Sequence, residues 1–290
     1  MDVTLENKDL ITKVHSKGAE LFSVFNRNTG LEYLWSADPA FWGKTSPVLF
    51  PIVGTLRDDK FIFHGDSYAL SRHGFARDAS FEIIKRDSDK VRFTLKSDET
   101  SLKKYPFNFS LAIMYSLQDN FLQVEYVVEN TGKEDMFFSL GAHPAFRVPL
   151  VEGTDYEDYY LEFNKKETAP RWPISAKGLI EQKSIPFFDH SDRIDLSKKL
   201  FLEDAIVLKH LNSNRISLKS AGHSHGLDFY FDGFPYIGLW AAPNADFVCI
   251  EPWCGIADSV SHDQDLTTKE GIEKVGPKSS WSRMWKVGFF

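Results

Sequence analysis

Phe121-Leu122-Gln123-Val124-Glu125-Tyr126-Val127-Val128-Glu129-Asn130 places an apolar residue at every second position, through Leu122, Val124, Tyr126 and Val128. A period of two is the mark of a strand with one buried face. Outward from it the same reading gives strands over 107–118, 90–97 and 80–85, then a hairpin over 60–64 and 66–70 around His64-Gly65-Asp66. Met1 to Asn7, Leu10 to His15 and Glu20 to Asn26 are short segments punctuated by turn signals, with 32–35 extending the meander. Toward the C-terminus, strands are expected over 136–140, 201–208, 215–219, 226–231, 236–241 and 281–290, with weaker signals over 153–164 and 179–186. Helix is confined to one turn at 38–42 and one over Asp98 to Tyr105, capped by Asp98 and stopped by Pro106. Many short strands at near-regular spacing predict an all-β fold, a large antiparallel β-sandwich. No Gly/Ser-rich linker or internal repeat divides the chain, so residues 1–290 are expected to form a single domain.

Composition sets the function classes aside in turn. Aromatics make up 14% of the chain, with 25 Phe, 10 Tyr and 7 Trp, enough for a large core. A net charge of -7 without a basic run argues against a nucleic-acid partner, because phosphate neutralisation requires clustered Lys and Arg. No apolar run is long enough to span a membrane, and Met1 to Asn7 carries no basic or apolar leader. Cys249 and Cys254 are the only cysteines and are expected to be reduced thiols of a cytoplasmic protein. A small neutral ligand fits this balance, taken up by a monomer or homodimer.

The chemistry gathers at Ala245-Asp246-Phe247-Val248-Cys249-Ile250-Glu251-Pro252-Trp253-Cys254-Gly255. An apolar strand runs into Glu251, and Pro252, which cannot donate to a ladder, is expected to stop it there. A carboxylate buried at a strand end beside Trp253 and Cys254 has its pKa raised and suits a general base. Arg57, His73, His143 and Asp204 also stand at strand ends in apolar or Pro/Gly-rich context. Singly, each has an ordinary structural explanation: a solvated edge charge, a hairpin end, a satisfied core histidine, a turn former.

Together they form a pattern. Arg57 after a Gly-containing turn, His73-Gly74, Gly141-Ala142-His143-Pro144-Ala145-Phe146, Glu203-Asp204-Ala205, Cys249-Ile250-Glu251-Pro252-Trp253 and Thr268-Lys269-Glu270-Gly271-Ile272 resemble, in this order, segments of the aldose 1-epimerase (galactose mutarotase-like) family. The resemblance covers essentially the whole chain and implies that family's supersandwich. Better-known members carry Asn-Arg-Ile around the arginine and a second Gly after His-Gly. Thr55-Leu56-Arg57 and His73-Gly74-Phe75-Ala76-Arg77 look more like a bacterial side branch.

The resemblance implies interconversion of the α and β anomers of a hexose without metal or other cofactor. A base takes the C1 hydroxyl proton, an acid protonates the ring oxygen, the ring opens, C1–C2 rotates and the ring recloses. Glu251 is expected as base and His143 as acid, with His73 bonding the ring oxygen or a nearby hydroxyl. Arg57 and Asp204 are expected to hold hydroxyls, and Trp253 or Phe75 to pack on the sugar's apolar face. Unperturbed values of about 4.3 for Glu and about 6.5 for His pair an ionised carboxylate with a protonated imidazole.

Arg72 and Arg77, flanking His73, give a rival reading as a hexose-6-phosphate 1-epimerase, because guanidinium forks suit a phosphate. A non-catalytic carbohydrate-binding β-sandwich is a second alternative and needs no facing acid and base. His223-Ser224-His225 raises a metal pair as a third, in a segment that reads as a loop.

Overall fold

The computed structural model describes residues 1–290, the Lys85 side chain excepted. Strand Phe121–Asn130 sits between Phe109–Gln118 and Ser280–Phe289, antiparallel to both. Leu122, Val124, Tyr126 and Val128 are buried while the residues between them are half-exposed, as the period of two requires. These three strands belong to a nine-stranded sheet in the order Ser191–Asp195, Tyr159–Glu167, Arg215–Ser220, Leu227–Tyr230, Ser280–Phe289, Phe121–Asn130, Phe109–Gln118, Lys90–Lys96, Glu82–Arg86. The one-sided pattern of Phe121–Asn130 is the signature of a sheet packed on one face. Buried Trp285 donates its indole N–H to Tyr126 Oη at 3.0 Å, which satisfies a polar group inside that packing.

A five-stranded sheet supplies the other principal layer. Phe247–Cys254 pairs with Tyr236–Trp240 on one side and with both Leu140–Gly141 and Ala145–Arg147 on the other, and Ile206–Lys209 completes the sheet beyond Tyr236–Trp240. All eight residues of Phe247–Cys254 are buried. A four-stranded sheet of Asp2–Glu6, Leu10–His15, Leu21–Asn26 and Leu31–Glu32 forms from the N-terminal meander. The architecture is the expected antiparallel β-sandwich, with one hydrophobic cluster running from Val3 to Phe289. Among the described residues no helix is long and apolar enough to cross a membrane.

Three local expectations are corrected. The strand does not stop at Glu251 but continues through Pro252 to Cys254. Ala142 N–H donates to Pro252 O at 3.1 Å, so the proline's backbone faces the side where the neighbouring strand is broken at 142–144, and only the return bond of that one pair is lost. Residues 201–204 form turns instead of strand, and pairing begins at Ile206. The helix after Asp98 covers only Glu99–Leu102, closed at its start by a capping box between Asp98 and Ser101.

Candidate active site

Strand register brings the two central residues together. Leu140 lies opposite Cys254, Gly141 opposite Trp253 and Ala145 opposite Cys249, so the same register, carried across the break, sets His143 opposite Glu251. On the other side of Phe247–Cys254, Gly238 is opposite Glu251, and Val207 is opposite Gly238. Directly paired residues in an antiparallel sheet project from one face. Val207, Gly238, Glu251 and His143 therefore form a row across the sheet. Residues two positions along, Trp253 and Cys249, share that face.

That face is the floor of a cavity of about 500 Å³. Glu251, His143, His73, Asp204, Arg77 and Trp253 all line it, together with Arg72, Trp42 and Trp240. Glycine makes room for the floor: a Cβ on Gly238 would stand 2.4 Å from the Trp253 ring, and one on Gly141 would stand 2.6 Å from it. Trp253 can lie flat only because both neighbours lack a side chain.

His143 Nε2 lies 3.3 Å from Glu251 Oε2, and both residues are buried. Trp42 stacks on the imidazole with centroids 4.9 Å apart, and Trp240 meets it edge-on at 5.7 Å. Burial pushes the Glu251 carboxyl well above the usual carboxylate range, with the Arg72 charge acting in the opposite direction. The same desolvation lowers His143 to about 3, and the charges of Arg72 and Arg77 add to the fall. Burial thus works against the expected ionised carboxylate beside a protonated imidazole. A dry site disfavours both charges, so burial favours the pair as a neutral acid beside a neutral base. The Trp253 indole also acts on the Glu251 carboxyl against the effect of burial, while His143 Nδ1 is buried without a hydrogen-bond partner among the described residues.

His73 occupies a tight turn at φ +68°, with its N–H bonded to Gly54 O at 2.9 Å. Gly54 N–H donates back to His73 Nδ1 at 3.1 Å. A backbone N–H can only donate, so in the neutral ring Nε2 carries the hydrogen. Burial, the facing His143 and the two arginines keep His73 well below its ordinary value, hence neutral. Arg72 Nε, also a donor, lies 3.3 Å from Nε2. That N–H is directed at Nε2, so both nitrogens of the ring face an N–H group, and the shorter Gly54 contact sets the tautomer.

Arg72 Nη2 stands 3.8 Å from Asp204 Oδ1, and Arg77 Nη2 donates to Arg72 O at 2.9 Å. Asp204 sits at φ +127°, a strained conformation for any residue but glycine, with its carboxylate accepting from Ala205 N–H at 2.7 Å. The turn over 201–204 that holds it forms part of the cavity rim.

Two expected residues fall outside. Arg57 does not line the cavity; its Nη1 donates to His262 O at 2.8 Å and its N–H to Asp258 Oδ2 at 2.8 Å. The segment that follows Glu251 captures it. Phe75 also misses the cavity, packing instead against the rings of Phe50, Tyr105 and Phe109. His223 and His225 lie elsewhere, with His223 Nε2 bonded to Tyr159 Oη at 2.9 Å and Nδ1 accepting from His225 N–H, which leaves that ring no free nitrogen. One group of potential metal ligands is present among the described residues: donor atoms of His143, Cys249 and Glu251 lie within 4.8 Å of one another.

The family profile described as aldose 1-epimerase matches residues 1–270. The chain is 35% identical over 297 residues to the plasmid-encoded protein LacX of Lactococcus lactis subsp. lactis, covering 99% of both sequences. Among solved structures, it resembles a galactose mutarotase related enzyme from Lactobacillus acidophilus with TM-score 0.94 and 33% identity, covering 100% of this chain and 97% of that one. A galactose mutarotase-like protein from Lactobacillus casei matches with TM-score 0.94 and 30% identity over 100% of both chains.

Proposed function

The chain belongs to the aldose 1-epimerase family, and from that footing we propose that it is a cytoplasmic isomerase, acting as one domain, that interconverts the α and β anomers of a hexose. One observation carries the reading: Glu251 and His143 stand 3.3 Å apart on the floor of a cavity large enough for a sugar ring. Anomer exchange moves protons at two oxygens on the same carbon, the C1 hydroxyl and the ring oxygen. A proton acceptor and a proton donor must therefore stand close together, each within hydrogen-bond reach of its own oxygen.

The proton count closes over the cycle. Ring opening starts from an ionised Glu251 and a protonated His143; Glu251 takes the C1 hydroxyl proton while His143 gives one to the ring oxygen. The pair then holds its single proton as a neutral acid and a neutral base, the arrangement that burial favours. Reclosure on the other face of the aldehyde reverses both transfers. Sugar hydroxyls stabilise the charged arrangement while substrate is bound, and the Arg72 guanidinium favours its carboxylate. His73 and the Arg72 guanidinium donate to sugar oxygens, Asp204 accepts from hydroxyls, and Trp253 offers its ring face.

The pH profile follows from that single proton. Below about 3, His143 takes a second proton and the pair has no acceptor. On the alkaline side, Glu251 loses its proton only above the usual carboxylate range. The acid limb is therefore expected near pH 3, below the ordinary histidine range, and the alkaline limb above the ordinary carboxylate range. An acid limb at the ordinary value of a histidine would mean that two uncoupled groups do the work.

A phosphorylated hexose is the second reading, because Arg72 and Arg77 both line the cavity and a guanidinium is the natural partner of a phosphate. NMR exchange spectroscopy on free and phosphorylated aldoses separates the two. Fast exchange of a free hexose supports the first, acceleration confined to sugar phosphates supports the second, and saturable binding without any exchange would leave a carbohydrate-binding protein.

A further inference from the structure

His143 and Glu251 are joined on their face of the sheet by a group that the proposed reaction does not use. Cys249 lies two residues before Glu251 on the same strand, fully buried, opposite Ala145 on one neighbouring strand and Trp240 on the other. Its thiol is a free cysteine that does not line the cavity. The donor atoms of His143, Cys249 and Glu251 nevertheless all lie within 4.8 Å of one another. Donors around a tetrahedral zinc ion stand roughly 3.3–3.8 Å apart, given bonds of about 2.0–2.3 Å. The His143–Glu251 separation of 3.3 Å already meets this, so small side-chain rotations close the set.

We infer that His143, Cys249 and Glu251 form a binding site for a thiophilic divalent cation of the zinc class, and that the cation inhibits the protein by occupying the proton-transfer pair. Three ligands and an open fourth position turned to the cavity make a common zinc arrangement. Soft sulfur with imidazole selects zinc-class ions over magnesium or calcium, which prefer oxygen. Charge balance favours the site as well: a thiolate and a carboxylate neutralise the dication while the imidazole stays neutral, so a desolvated wall receives no net charge. On binding, the thiol proton and the one proton held by the His143–Glu251 pair leave to solvent. The cation reaches its ligands through the cavity, so metal and sugar exclude each other. The inhibition rests on the proposed function; the metal site does not.

Co²⁺ alone, added to the metal-free protein, tests this directly, because a cobalt–thiolate bond gives a charge-transfer absorption in the near ultraviolet. The expected result is that band at one equivalent, reversed by Zn²⁺, with retention in Cys254→Ser and loss in both Cys249→Ser and Cys249→Ala. In Cys254→Ser the only remaining thiol is Cys249, so this arm decides even if substitution of Cys249 unfolds the protein. Cys249→Ser is expected to weaken Zn²⁺ binding at least about tenfold, the scale at which even a supporting contact of a metal ligand registers, while keeping the metal-free exchange rate. No thiolate band in the wild-type protein, or a band that follows Cys254, would overturn the inference. A cobalt band in a protein without anomer exchange would uphold the metal site and remove the functional reading alone.

Discussion

Two buried ionisable pairs draw on one stretch of chain, which supplies Glu251, Asp258 and Lys269 while His143 comes from the break in a neighbouring strand, and their surroundings differ. Asp258 and Lys269 are saturated: Lys269 Nζ donates to Asp258 Oδ1 at 2.8 Å and to Ile256 O, while Asp258 Oδ2 accepts Arg57 N–H at 2.8 Å. Asp258 N–H is bonded to Thr55 O in turn. Glu251 and His143 are not saturated, since their contact is 3.3 Å long and His143 Nδ1 is buried with no partner among the described residues. Burying ions without full pairing costs stability, so a fold without further use for such a pair would complete it. The saturated pair fixes the wall at Ile256 and Ala257, both of which line the cavity. The unsaturated pair keeps its hydrogen-bonding capacity for a ligand.

Breaking the saturated pair is expected to act on stability. Lys269→Met leaves Asp258 charged and uncompensated inside the fold, a loss of about 3–5 kcal/mol in a denaturant titration. An unchanged unfolding midpoint would show that the network supports nothing. Breaking the unsaturated pair is expected to act on rate. His143→Asn should lower kcat by about 10²–10⁴-fold with little change in unfolding midpoint; a loss confined to stability would make His143 a packing residue.

The arginines sharpen the contrast at smaller scale. Arg72→Ala removes a charged donor from the cavity and should raise KM about tenfold or more, since hydrogen bonds to charged groups contribute roughly 1.5–3 kcal/mol. Arg57→Ala, placed outside the cavity, should leave KM within about twofold, the range of an ordinary surface substitution. A reversal of these two results would return Arg57 to the ligand site.

Much of the site was readable because its chemistry is local. Ala142-His143-Pro144 and Cys249-Ile250-Glu251-Pro252-Trp253 carry their residue types in short, unusual strings, and His73-Gly74 announces a strained turn. What local sequence cannot show is the direction in which a long side chain leaves the backbone. Arg57 follows Gly54 closely in sequence, yet its course is set by Asp258 and His262, some 200 positions away. Trp42 and Trp240 escape a local reading for the same reason, since a distant loop carries the first to His143 and the pairing of Tyr236–Trp240 with Phe247–Cys254 carries the second. The Asp258–Lys269 pair left no trace in composition or periodicity, because a buried charge is recognisable only once its partner is known. Alternation in Phe121–Asn130, by contrast, reports a one-sided environment within ten residues and fixed the fold class.

Glu251→Gln, assayed for anomer exchange by NMR and for thermal unfolding on the same preparation, tests the central claim most directly. Gln keeps the shape and hydrogen-bonding reach of Glu but cannot accept the proton. Exchange should fall at least about 10²-fold. Stability should rise by about 0.5–2 kcal/mol, because a neutral amide replaces a carboxyl that burial disfavours in its ionised form. Opposite movements of rate and stability would identify a group kept for chemistry at the expense of the fold. Retention of more than about a tenth of the wild-type rate, well short of what a general base contributes, would contradict the account and move the search for the base to Asp204.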